Sequence, residues 1–68
     1  MSTFIDRLQV EKDELGEKHQ KLGTFLTSEN FSTVSEVQRK LLFEQHSAMT
    51  RYYAILCLRI SDLELQDK

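Results

Sequence analysis

From Val34 to the C-terminus the chain contains neither proline nor glycine. Nothing in that half breaks a helix, so it reads as one long helix running to about Leu63 or Leu65, with Gln66, Asp67 and Lys68 frayed. A rod of that length cannot fold back on itself. Its apolar side chains must be covered by another helix, from this chain or from a second copy.

The other helix lies upstream. Leu8, Leu15 and Leu22 recur every seven residues, and Ile5, Lys12, His19 and Leu26 form the companion row. Together they make an a/d seam with two polar interruptions. Thr3-Phe4-Ile5-Asp6 resembles a capping box, so this helix is expected to open at Ser2 or Thr3 and to run from Phe4 to about Thr27. Glu14 with Lys18 and Glu17 with Lys21 are i,i+4 pairs on its outer surface. Gly16 and Gly23, the two glycines of the chain, share one edge of the seam. Each costs about 1 kcal/mol relative to alanine in a helix interior. That cost points to close approach of another backbone or a flat ligand, against the plainer alternative of tolerated surface glycines.

Residues 28–33 are rich in turn formers and connect the helices. Phe31 is expected to plug the end of the bundle. Thr33 with Glu36 forms a capping box for the second helix, and Ser35 is an alternative cap. The fold class is therefore all-α: an antiparallel hairpin of helices at about 4–27 and 34–65, one domain over residues 1–68. In that hairpin Leu22 is expected level with Leu41 and Leu8 level with Ile55. Phe43, Tyr53, Leu58 and Val10 lie off the shared face, and two helices cannot bury them all. With 68 residues and one cysteine, the chain lacks internal disulfides. Assembly into a homo-oligomeric helical bundle is the remaining source of stability.

Within the second helix, Gln38, Gln45, Tyr52 and Arg59 fall seven residues apart. They stack in one line, with Leu41, Ala48 and Ile55 on one side and Leu42, Met49 and Leu56 on the other. Polar groups between apolar flanks require partners, because a bare one costs about 1–3 kcal/mol when buried. Arg59 offers a planar fork suited to phosphate or carboxylate, Tyr52 a stacking face and a hydroxyl, and Gln45 both a donor and an acceptor. In the expected register Lys12 and His19 add positive charge from the first helix. These five residues form a candidate site for a small, flat, anionic ligand such as a nucleotide. The plainer reading is a polar layer that fixes register and oligomer state.

No catalytic motif is present: there is no phosphate loop, no HExxH, no Gly-x-Ser-x-Gly, and Cys57 lies three turns from His46. The chain reads as a non-enzyme without cofactor. His19, His46 and Cys57 share no ligand spacing, so no metal site is expected. The net charge of −2, with both signs interspersed, argues against duplex nucleic acid. No run approaches the ~20 apolar residues of a membrane span. The start at Met1-Ser2-Thr3 carries no signal-peptide pattern, and a lone thiol fits a reducing cytoplasm.

The series Val37-Gln38, Leu41-Leu42, Gln45, Ala48-Met49, Tyr52, Leu56 and Arg59 resembles a pattern in a family of small tailed-phage proteins related to a protein of a crAss-like phage. The first half is similar too, at Thr3-Phe4-Ile5-Asp6-Arg7-Leu8, Glu11, Glu14-Leu15, Lys21-Leu22, Phe25-Leu26 and Ser28-Glu29. Phe43, Tyr53 and Cys57 fall outside the pattern. The resemblance implies a phage accessory protein of the host bacterial cytoplasm, with no activity to transfer. By analogy with small helical phage proteins that soak up immune signals, the expected partners are further copies of the chain and a cyclic or ADP-ribose-derived nucleotide. The alternatives are a helical module that inhibits a host enzyme, its surface built on Phe43 and Tyr53, or a small structural phage protein.

Overall fold

The computed structural model describes residues 4–66. Helix α1 spans Phe4–Leu26, a 3₁₀ helix spans Glu29–Thr33, and helix α2 spans Glu36–Gln66. The two α-helices pack side by side as a hairpin, a rod of 50 × 17 × 13 Å. The expected cap at Ser2 or Thr3 lies outside the described residues.

The connection is more ordered than a simple turn. Ser28, Ser32 and Thr33 each donate a side-chain hydrogen bond to the carbonyl three residues earlier, at 2.7, 2.8 and 2.6 Å. These bonds fit the tight i,i+3 spacing of a 3₁₀ turn. Thr33 donates to Asn30 and is followed by extended Val34, so it lies too far ahead of α2 to cap it. Val34 is extended, and α2 begins two residues after the expected start at Val34. The cap is Ser35, whose Oγ accepts the Gln38 amide at 3.1 Å. Phe31 sits edge-on to Phe25 and Phe43, with ring centroids 6.0 and 5.3 Å away. Arg39 Nη1 donates to the Ser32 and Val34 carbonyls, tying the connection to the first turn of α2. At the far end Gln66 remains helical and donates to Asp62 at 2.8 Å.

The core is small. Leu8 and Leu15 from α1 meet Leu56 and Ile60 from α2, with Ile5, Met49 and Leu63 packed against them. So α1 covers only the Leu42, Met49 and Leu56 side of α2. The Leu41 and Ile55 side faces out, 51% and 43% exposed. The register is also displaced from the expected one. Gly16 lies beside Tyr53 and Gly23 beside His46, so α1 sits roughly a turn further along α2 than a Leu8–Ile55 pairing requires.

Candidate binding site

The four ridge residues Gln38, Gln45, Tyr52 and Arg59 are all exposed in the hairpin. The expectation that they are shut away from water is not met within one chain, because α1 lies along the neighbouring side of α2. Arg59 is the one ridge residue with a defined partner in α1. Its guanidinium carbon sits 5.6 Å from the centroid of the Phe4 ring, a cation–π contact that orients the fork. Tyr52, 44% exposed, presents ring surface to solvent.

Lys12 and His19 are half-buried on α1. His19 was expected to add charge beside this line, but it packs on the opposite flank of the seam, against the His46 and Thr50 side of α2. There its ring stacks on His46, centroids 4.1 Å apart and planes 24° from parallel. His19 Nε2 lies 2.7 Å from Thr50 Oγ1. Thr50 has a single hydroxyl proton and donates it to the His46 carbonyl at 3.0 Å. The Thr50 oxygen is therefore the acceptor, and His19 Nε2 carries the hydrogen. His19 is thereby committed to holding the helices together, while Gln45, Tyr52 and Arg59 remain on one line. His46 is half-buried in this stack.

The glycines explain how the aromatic rings fit. A Cβ on Gly16 would stand 3.2 Å from Tyr53 Cε2, and one on Gly23 would stand 3.4 Å from His46 Nε2. The flat groups that approach the glycine edge are thus side chains of α2, not a backbone or a ligand. Sequence spacing signals the need for room but not the occupant, which depends on register. A shallow cleft of about 270 Å³ remains beside them, lined by Gly16, His19, Thr50 and Tyr53.

Among the described residues no group of three or more His, Cys, Asp or Glu gathers into a metal site. Cys57 is half-buried and free. No helix is long and apolar enough to cross a membrane among the described residues.

Fold and ridge together define a small all-helical hairpin protein with a solvent-facing line of stacking and hydrogen-bonding groups. A family model described as Sequestin matches residues 2–62. That covers most of the chain, which belongs to the Sequestin family. The family name suggests a sequestering protein. No curated protein and no solved structure matches the chain.

Proposed function

We propose that this chain is a phage accessory protein that binds and sequesters a nucleotide immune signal between the helices of a homo-oligomer, in the cytoplasm of its bacterial host. The observation that carries this reading is the ridge itself. Tyr52 and Arg59 place a stacking face and a pre-oriented guanidinium on one line, with apolar surface on both flanks. In the free hairpin one flank is covered by α1 and the other, Leu41 and Ile55, is bare. A second copy laid on that bare flank turns an exposed ridge into a walled groove.

The surface area supports assembly. The chain exposes 5497 Å². A folded monomer of 8.0 kDa is expected to expose about 4,450 Å². The excess, roughly 1,000 Å², resembles the ~800 Å² that each partner contributes to a standard interface. In the groove Tyr52 stacks on the base, Arg59 holds a phosphate, and Gln45 reads polar edges. Lys12 and His19, seven residues apart on one row of α1, lie toward the other flank of the seam and are not part of this groove.

Calorimetric titration with cyclic dinucleotides, cyclic trinucleotides and ADP-ribose derivatives tests the reading. At least one member gives saturable heat, and Tyr52→Ala and Arg59→Ala each weaken it about tenfold or more while the oligomer persists, as for loss of a stacking or charge-assisted contact. A folded oligomer silent to the whole panel refutes it. The rival reading, a module that inhibits a host enzyme, keeps exposed ring surface at Phe43 and Tyr53, 53% and 36%, although Phe43 also meets Phe31 and Tyr53 lies against Gly16.

A further inference from the structure

The outward side of α2 carries a second seam, distinct from the one that meets α1. Val37, Leu41, Glu44, Ala48, Arg51 and Ile55 are separated alternately by four and three residues, and Leu58 continues the series. That is the spacing of a helix–helix contact face. Every member is exposed in the hairpin, including Val37 at 66% and Leu58 at 70%.

This seam is nearly palindromic. Two α2 helices laid antiparallel about an axis beside Ala48 set Leu41 opposite the partner's Ile55 and Val37 opposite the partner's Leu58. Glu44 then falls opposite the partner's Arg51, and the two-fold axis generates each pairing twice. Opposite charges thus meet in a register already chosen by the apolar residues. The small Ala48 sits at the centre, where the helix axes approach most closely. Within one helix Glu44 and Arg51 are about 10 Å apart along the axis, too far to pair with each other.

We infer that this face is an isologous dimer interface, in which a second copy of the chain docks antiparallel along α2 and Glu44 pairs with the partner's Arg51. The ridge borders this seam on the edge between it and α1. The same register sets Gln45 opposite the partner's Tyr52, and Gln38 opposite the partner's Arg59. Each groove then combines Tyr52 and Arg59 of one copy with the glutamines of the other, so the site is incomplete in a single hairpin. Tyr52 and Arg59 are about 10 Å apart along the helix. That separation suits a nucleoside diphosphate moiety, its base on the ring and its distal phosphate on the guanidinium, with two equivalent sites per dimer. This last step rests on the sequestering function proposed above; the interface does not.

Sedimentation equilibrium of the full chain, without ligand, tests the interface through Glu44→Arg, Arg51→Glu and the double reversal. Each single reversal sets like charges together twice across the axis and raises the self-association constant Kd at least about tenfold. The double reversal restores opposite pairing and returns the Kd to within about threefold of wild type. Circular dichroism checks that the hairpin stays helical, as expected for exposed positions. A wild-type chain that remains monomeric, single reversals without effect, or a double reversal no tighter than the singles each overturn the interface. A dimer that passes all three tests yet binds no nucleotide leaves the interface standing and removes only the ligand.

Discussion

Gly16 and Gly23 face the rings of Tyr53 and His46 at distances that decide what each position accepts. A methyl group at Gly23 would make ordinary contact with His46 Nε2 at 3.4 Å, whereas one at Gly16 would press on Tyr53 Cε2 at 3.2 Å. Alanine in a helix interior recovers up to about 1 kcal/mol relative to glycine. Gly23→Ala is therefore expected to raise stability toward that limit. Gly16→Ala gains less, because the Tyr53 ring must shift by a few tenths of an ångström and loses part of its contact with α1. Urea denaturation of both variants checks the order, and an equal or larger gain at Gly16 refutes the close contact. The polar residues of the seam obey the same logic of local fit. Thr50 Oγ1 donates its proton to the His46 carbonyl and accepts from His19, so one hydroxyl links both helices.

The start of α2 shows how neighbouring elements reassign a residue's role. Thr33 and Glu36 have the spacing of a capping box, but Val34 is extended and α2 opens at Glu36, which leaves the cap to Ser35. Ser35→Ala is expected to cost about 1 kcal/mol, the usual loss for a helix N-cap. Thr33→Ala should cost clearly less, since its hydroxyl serves only an exposed turn. Thermal melts of the two variants separate the roles, and the reverse order would place the cap at Thr33. The helices themselves were legible from Leu8, Leu15 and Leu22 and from the unbroken run after Val34, because periodicity reports which residues face one way. What periodicity does not report is how far one helix slides along the other. The 3₁₀ helix and Phe31, edge-on to Phe25 and Phe43, close one end of the hairpin. Nor does periodicity report which flank of α2 a seam residue of α1 meets: His19 packs against His46 and Thr50, away from the flank of Gln45 and Tyr52, so the candidate site was readable along α2 but not across the hairpin. The glycine edge illustrates the same limit: the absence of Cβ atoms was visible, and the rings of Tyr53 and His46 that need the space were not.

At the scale of the whole molecule, a rod 50 Å long is held by few contacts: among the described residues four apolar side chains are buried. A core that small is marginal for a chain of this length, so stability is expected to come in part from assembly. The two faces of α2 then respond differently to truncation. Leu56 is fully buried in the hairpin, and Leu56→Ala is expected to cost about 2–5 kcal/mol. That loss is intrinsic to the chain and lowers the melting temperature at every protein concentration. Leu41 is 51% exposed in the hairpin, on the side that α1 leaves bare. Leu41→Ala should therefore scarcely alter melting in dilute solution. The wild-type midpoint rises with concentration, because association that favours the folded state stabilises it by mass action. Leu41→Ala flattens that rise, while Leu56→Ala shifts the whole curve down. Melting followed by far-ultraviolet circular dichroism over a hundredfold range of concentration gives the comparison. A wild-type midpoint independent of concentration, with the oligomer dissociating over the same range, would show that the hairpin stands alone and that the ridge of α2 faces open water.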